Sequence, residues 1–333
     1  MSEVAHIEAS GQEVKISNPR KSFFPGITKL DLVDYYVSVG EAAVRACRDR
    51  PTTMHRFPDG YAGEAFWQKR LPQSRPEWIR SATVRFPSGR SATMLVIHDL
   101  AHLLWAINLG CLGMNPWPVR DNDLDHPDEL RIDLDPTPGI PWQDVKDIAL
   151  LTRDTLADHG LVGWPKTSGK RGIHIYVRIE PKHDFTGVRR AALALSREVE
   201  RRSDGVATTA WWKEERVGVF LDYNQNARDR TIACGYGVRA TGEARVSTPI
   251  TWDEVPDVDP EAFTVATVPD RVARIGDPAE GIDDVAYNLD SLLELARTDE
   301  AGGLSDAPWP PNFPKAGNEP PRVQPSRRRK TQN

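Results

Sequence analysis

Three acids at the ends of apolar runs carry the chemistry that this chain advertises most clearly. The segment Glu129-Leu-Arg-Ile-Asp-Leu-Asp135 alternates, so on a strand Leu130, Ile132 and Leu134 face one way and Arg131, Asp133 and Asp135 the other. Carboxylates two residues apart on one strand face lie roughly 7 Å apart at their Cα atoms, close enough to share a metal. Pro136 and Gly139 end the strand and leave both acids at its exit. Hard oxygen donors of this kind suit Mg²⁺ or Mn²⁺ and not zinc. Asp222 ends a second apolar run, Val217-Gly-Val-Phe-Leu221, where an acid needs a partner. A third ligand to the same pair of ions supplies one, and two ions about 4 Å apart can activate an attacking hydroxyl and stabilise a leaving pyrophosphate. By themselves the acids leave alternatives open. A D-x-D pair also holds the nucleotide diphosphate of many glycosyltransferases, and the plain structural reading is a solvated strand end.

A basic turn narrows the chemistry. Lys166-Thr-Ser-Gly-Lys-Arg-Gly-Ile-His-Ile-Tyr176 places glycines and cations before a strand. The glycines let backbone N–H groups approach phosphate oxygens, and Ser168, Lys170 and Arg171 add donors and charge. It is no Walker A loop, because Gly163 lies one residue too far upstream and Arg171 replaces the required Ser or Thr. On the strand, His174, Tyr176 and Arg178 share one face and Ile173, Ile175, Val177 and Ile179 the other. His174 is read as a triphosphate contact rather than a packed core histidine. Arg228, Arg230 and Arg239 extend the positive lining. His98-Asp-Leu-Ala-His102 imitates a zinc-protease motif, but Asp99 reads better as a helix N-cap.

Positioning these groups requires mixed layers. A helix is expected from about Thr28 to Arg48, capped by Thr28 with Asp31 at the capping-box position. A second opens at Asp99 and ends at Gly110, and a third runs from about Trp142 to His159 with Gly160 after it. A basic helix near Val188 to Arg202 reads as an amphipathic surface element. With strands at ELRIDLDP, GIHIYVRIEP and VGVFLDYNQN, the fold class is α+β, antiparallel or mixed sheets flanked by helices. Residues 1–300 form the catalytic domain, and 301–333 read as a proline-rich, basic, disordered tail containing Arg327–Lys330.

Among the 333 residues, 39% are hydrophobic, enough for a real core, and the net charge of −5 excludes a general polyanion binder. Nucleic acid, if bound, must be held by local basic pockets. Cys47, Cys111 and Cys234 form no C-x-x-C pair, no apolar run is long enough to span a bilayer, and MSEVAHIEAS lacks a signal-peptide pattern. A cytoplasmic protein with no membrane partner is expected.

ELRIDLDP, TSGKRGIHIY and FLDYNQN, in that order, resemble the three motifs of the archaeo-eukaryotic primase superfamily, most closely the polymerase domain of bacterial DNA ligase D in its stand-alone actinobacterial form. The resemblance covers residues 15 to about 295 and brings a primase-polymerase fold; a ligase lysine motif is absent. It implies a template-directed nucleotidyltransferase adding NTPs (preferred) or dNTPs to a primer 3′ end with two Mn²⁺ or Mg²⁺ ions. The setting implied is short-gap filling in DNA repair and end joining, close to the bacterial nucleoid. The partners implied are gapped or primer-template DNA, the end-binding protein Ku and a separate DNA ligase. Asp133, Asp135 and Asp222 would hold the metals. Ser168, Arg171, His174 and Arg239 would hold the triphosphate, beside Lys170, with Gln225 nearby. Asn18, Lys21 and Lys29 match an element that recognises a downstream 5′-phosphate. Lys29 in the first turn of a helix opposes the dipole, a conflict that a bound phosphate would offset. Phe66 and Trp67 match aromatics that stack on the template base, with His55, Arg56 and Lys69 gripping its backbone. By composition alone Phe66 reads as core, and Trp67 is the better stacking candidate. Asn115 stands where fused relatives carry a histidine, which puts the sugar contact, and so the sugar preference, in question. The competing readings are a D-x-D nucleotide-sugar glycosyltransferase, which leaves Lys29 and Trp67 unexplained, and a non-catalytic DNA-end-binding module, which leaves three intact acids unexplained.

Overall fold

The computed structural model describes residues 3–313, so the basic run Arg327–Lys330 lies outside the described residues. An antiparallel hairpin, β1 (Val4–Ala9) and β2 (Gln12–Ser17), precedes the short pair β3 (Ser22–Phe24) and β4 (Ile27–Thr28). Thr28 then caps α1 (Lys29–Ser38): its hydroxyl accepts from the Asp31 N–H, and the Asp31 carboxylate accepts from the Thr28 N–H at 2.7 Å. The single helix expected to run to Arg48 is broken at Val39 and resumes as α2 (Gly40–Arg45). A glycine inside a helix costs about 1 kcal/mol. A Cβ at Gly40 would lie 3.5 Å from Leu100, an ordinary contact distance.

The first sheet collects β5 (Arg50–Arg56), β6 (Phe66–Gln68), β7 (Ser81–Arg85) and β8 (Ser91–Ile97) in the order β6-β5-β8-β7. After α3 (Leu100–Asn108), β9 (Cys111–Pro116) also pairs with β5. Asp99 caps α3 as expected, and His102 is buried with Nε2 accepting from the Arg80 N–H at 3.1 Å, which removes it from any zinc role. Leu32, Met54, Leu103, Ile107 and Met114 share one core between this sheet and its helices.

The second sheet is built on β10 (Glu129–Pro136). After α4 (Trp142–Asp158) come β11 (Trp164–Thr167) and β12 (Ile173–Arg178); after α5 (Phe185–Arg202) come β13 (Ala207–Thr208) and β14 (Val219–Leu221). Their order is β11-β12-β10-β14-β13, antiparallel except for the parallel β13–β14 pair. Leu130, Ile132, Leu134, Ile173 and Ile175 face a second core with Ile148 of α4 and Val188 and Leu195 of α5. That leaves the opposite face of β10 and β12 free to carry polar side chains. The chain is therefore α+β with one antiparallel and one mixed sheet.

Two expectations need correction. The helix α5 is no simple surface element, since Phe185, Val188, Arg189 and Leu195 are all buried. After α6 (Val268–Ile275), the last helix α7 (Asp290–Ala301) crosses α5, and the chain continues along it to residue 313. Arg189 Nη1 binds the Asp306 carboxylate at 2.8 Å, Nη2 donates to the Ala307 carbonyl at 2.8 Å, and the guanidinium stacks on Trp309 at 4.0 Å. Asp306, Ala307 and Trp309 are thus held against α5. Proline-rich composition signalled the lack of helical periodicity, but not that its carbonyls would serve as acceptors for a buried arginine.

Candidate active site

The strand register assembles the centre. On β10, Asp133 lies opposite His174 of β12; β11 places Lys166 opposite His174 in turn. On the other side Leu134 pairs with Leu221, and the next residue, Asp222, donates its N–H to the Asp133 carbonyl at 3.0 Å. Residues directly opposed in antiparallel strands share a face. A polar row, Lys166, His174, Asp133 and Asp222, therefore crosses the sheet on the side away from α4 and α5. The short 3₁₀ turn Tyr223–Asn226 folds Gln225 back over the row. Gln225 Nε2 donates to Asp133 Oδ2 at 3.2 Å and to Asp222 Oδ2 at 3.1 Å. Asp135, two residues on, lies exposed at the end of the strand.

Burial pushes the Asp133 carboxyl up to about 8, and repulsion from Asp222 and Asp135 adds to the shift. Asp222 is also raised, chiefly by burial, against the pull of Arg230 and the Asn224 N–H. Burial takes His174 well below its ordinary range, assisted by Lys166, Arg239 and Arg131, and lowers Lys166 to about 7.

A ready-made three-acid metal cage is not what the fold presents. Among the described residues, no three His, Cys, Asp or Glu side chains stand together tightly enough to hold a metal ion. The Gln225 amide bridges Asp133 and Asp222. The donor chemistry nevertheless fits a hard dication. Burial, with repulsion from Asp222 and Asp135, favours a proton on Asp133, and a divalent ion would relieve that conflict.

The basic turn wraps the neighbouring edge. Ser168 is buried, and its Oγ accepts from the Lys170 N–H at 3.2 Å and the Gly172 N–H at 3.0 Å, bracing the loop while its own proton stays free to donate. Gly169 has φ of 69°, and a Cβ there would meet Arg239 Cγ at 2.5 Å; one on Gly172 would meet the Leu134 carbonyl at 2.5 Å. Only glycine permits so close an approach. Arg239 lies half-buried against this loop, and among the described residues its guanidinium has no hydrogen bond or ion pair. Burial lowers both Lys170 and His55, Arg239 adds to each shift, and Asp135 pulls Lys170 the other way, so these charges lie within electrostatic reach of one another. Arg171 stands outside that group, exposed, with Nη2 3.5 Å from the Thr137 carbonyl. Asn115 is buried on β9 with its amide on the Gly113 carbonyl at 2.9 Å, turned to the backbone.

Pairing of β5 with β6 sets His55 opposite Trp67 and Arg56 opposite Phe66. Trp67 is 58% exposed and stacks one face on His55, with ring centroids 4.1 Å apart. Phe66 is 44% exposed under the Arg56 guanidinium, which corrects its reading as core. Lys69 is ion-paired with Asp229 at 2.6 Å, so its charge is already engaged. Farther along, Lys29 is buried, and its ammonium donates to the Ser17 carbonyl at 2.6 Å and the Asn108 carbonyl at 3.1 Å. Burial, with Lys21 and Arg56 close by, lowers it to about 8. Lys21 pairs with Asp59 at 2.7 Å, and Asn18 turns the chain with φ of 49°. Lys21, Lys29 and Arg56 thus form a local cluster of cations.

Lys166 was missed as a site residue. Its signal was a lysine inside an otherwise apolar four-residue strand, but only the register of β11 on β12 shows what it faces.

Residues 28–279 match the family described as LigD, primase-polymerase domain. The multifunctional non-homologous end joining protein LigD of Mycolicibacterium smegmatis is 30% identical over 92% of this chain. The multifunctional non-homologous end joining DNA repair protein LigD of Mycobacterium tuberculosis H37Rv is 32% identical over 93%. This chain spans only 41% and 42% of the length of those two relatives. The structure resembles the polymerase domain from Mycobacterium tuberculosis ligase D in complex with DNA, with a TM-score of 0.77 and 31% identity over 83% of this chain and 99% of that one.

Proposed function

This chain belongs to the LigD primase-polymerase domain family, whose members are nucleotidyltransferases of end joining, and we propose that it extends a primer 3′ end across short, 5′-phosphorylated gaps under direction of a template. The observation that carries the reading is that Asp133, Asp222 and Asp135 stand together beside Arg239 and Lys170, near enough for Asp133 to act on Arg239 and Asp135 on Lys170 across the space between them. Such a space suits a triphosphate carried with its cations. Two bound Mn²⁺ or Mg²⁺ ions, held by Asp133, Asp135 and Asp222, would activate the primer hydroxyl and stabilise the leaving pyrophosphate.

The chain's own groups do the positioning. Arg239 and Lys170 neutralise phosphate oxygens, the Ser168 hydroxyl donates to them, and His174 adds a donor beside Asp133. Arg171, at the mouth, steers the anion in. His55 links this pocket to Trp67, so a template base stacked on Trp67 and Phe66 pairs with a nucleotide held by Arg239. Gln225, bound to two of the acids, steadies Asp133 and Asp222 beside each other. Lys29, Lys21 and Asn18 receive the 5′-phosphate across the gap. Asn115 donates its amide to the Gly113 carbonyl, so it would meet the sugar through its side-chain carbonyl. Ku and a separate ligase remain the partners that this activity calls for.

Extension of a labelled primer across a short gap with Mn²⁺ tests the reading, with and without the downstream phosphate. Wild type should extend and prefer the phosphorylated gap, and Asp133→Ala should not extend. Equal extension by the variant refutes the metal assignment, and indifference to the phosphate refutes the role of Lys29.

A further inference from the structure

The 3₁₀ turn Tyr223–Asn226 carries a buried asparagine on each side of Gln225, and the two tie it to different neighbours. Asn226 anchors it to β10: its side-chain carbonyl accepts from the Arg131 N–H at 2.8 Å, and its amide donates to the Arg131 carbonyl at 2.7 Å. Asn224 faces the other way. Its side-chain carbonyl accepts from Arg189 Nε at 2.7 Å, and its amide donates to the Pro308 carbonyl at 3.3 Å. The backbone N–H of the same residue donates to Asp222 Oδ1 at 3.0 Å, while Gln225 Nε2 donates to Asp222 Oδ2 at 3.1 Å. Both oxygens of Asp222 are therefore held by this turn. Arg189 is 1% exposed, and a buried guanidinium is tolerated when its donors are taken. Residues 306–309 supply the acceptors. Nη1 binds the Asp306 carboxylate at 2.8 Å, and Nη2 donates to the carbonyls of Ala307 at 2.8 Å and Pro308 at 3.2 Å. The guanidinium lies 4.0 Å from the Trp309 ring and 5.3 Å from that of Tyr223, in the turn itself. A segment that merely covered α5 would need apolar contact alone. This one engages a cation that reaches past it to the turn.

We propose that residues 306–309 form a strap that sets the position of Asp222 through two positioning residues, Arg189 and Asn224, so that strap docking and divalent-ion binding strengthen one another. When the strap is docked, Arg189 is fixed between it and the turn, and Asn224 is fixed by both. When it leaves, Arg189 loses the Asp306 carboxylate and two carbonyls at once. The guanidinium must then turn toward water, which takes Nε off Asn224 and frees the turn that holds Asp222. Coupling of this kind is reciprocal: the factor by which an undocked strap weakens the ion is the factor by which the ion favours docking. Groups that orient a metal ligand without touching the metal typically change affinity by ~10–100-fold when removed. The effect on the ion rests on Asp222 being a metal ligand; the coupling of strap to turn does not.

Two readouts separate these claims. Asp306→Ala removes the carboxylate from Arg189 and from Trp309 Nε1, and the Asp306 side chain is 58% exposed, so the fold should survive. Asp306→Asn keeps an acceptor and serves as the conservative variant. Hydrogen exchange of the full chain in chelator, read by mass spectrometry, should show residues 222–226 exchanging ~10-fold faster in Asp306→Ala. Peptides from α4 should be unchanged, and Asp306→Asn should stay close to wild type. Asn224→Ala cuts the same link from the turn and should speed exchange of residues 305–309. Mn²⁺ binding, followed by the electron paramagnetic resonance of the free ion, should weaken ~10-fold in Asp306→Ala, with the dissociation constant for gapped DNA unchanged. Saturating Mn²⁺ should slow exchange of residues 305–309 in wild type. Wild-type exchange of the turn in Asp306→Ala, or of the strap in Asn224→Ala, overturns the proposal. So does unchanged Mn²⁺ affinity in Asp306→Ala when Asp222→Ala has lost it. Equal Mn²⁺ affinity in wild type and Asp222→Ala would remove the metal assignment, and the exchange data would still decide the coupling of strap to turn.

Discussion

Replacing Asp133 by asparagine should abolish nucleotide transfer and, in the same protein, raise the stability of the metal-free fold at alkaline pH. The Asp133 carboxyl titrates at about 8 when folded against an ordinary value of 3.8, because it is buried and faces Asp222 and Asp135. This is the reverse of the usual paired carboxylate. Between the two values the folded chain holds a proton that the unfolded chain has lost, so stability falls as pH rises through that window and levels off above about 8. About four units at ~1.4 kcal/mol each set a ceiling of roughly 6 kcal/mol. The side chain keeps 17% of its surface in water and shares its repulsion with two other acids, so about half of that is expected, ~3 kcal/mol. Asparagine preserves the shape and an acceptor for Gln225 without the charge. At roughly 2 °C per kcal/mol for a chain of this size, Asp133→Asn should melt ~6 °C above wild type near pH ~9. The gap should close below pH ~3, where the wild-type acid is neutral in both states. Mn²⁺ should also narrow it by stabilising wild type alone. Thermal melts in chelator across this pH range, repeated with Mn²⁺, read all three effects. A variant no more stable than wild type at alkaline pH, or a difference that does not vary with pH, would refute the electrostatic account of this site.

Lys29→Met should erase the preference for a 5′-phosphorylated gap in competition extension assays. In wild type the preference should fade as pH rises past about 8, where the folded Lys29 loses its charge. Trp67→Ala should weaken primer-template binding by ~1–3 kcal/mol in fluorescence anisotropy, with little change for nucleotide alone. Gly172→Ala drives a Cβ toward the Leu134 carbonyl at 2.5 Å, so nucleotide KM should rise at least ~10-fold while melting drops by only a few degrees. Arg189→Met removes the contacts to Asp306, the Ala307 carbonyl and Asn224 together. It should cost ~2–4 kcal/mol in urea unfolding and raise protease sensitivity near residue 305.

Local alternation determined much of this protein without any tertiary information. The faces of β10 and β12 followed from period-two patterning, and the caps at Thr28 and Asp99 from the need to satisfy first-turn amides. The family was legible for a related reason: its motifs are contiguous runs in which side-chain direction is fixed by the strand itself. What the sequence could not supply was register. Lys166, His174, Asp133 and Asp222 come from four different strands, and hydrogen-bonded pairing between strands sets which of them meet. The same limit hid the cover that Gln225 places over the acids. The docking of residues 305–309 is likewise decided by Arg189, more than a hundred positions earlier in the chain. Side-chain direction along one strand is a local consequence of backbone geometry. Proton position, desolvation and charge repulsion are sums over neighbours that only the folded chain brings together.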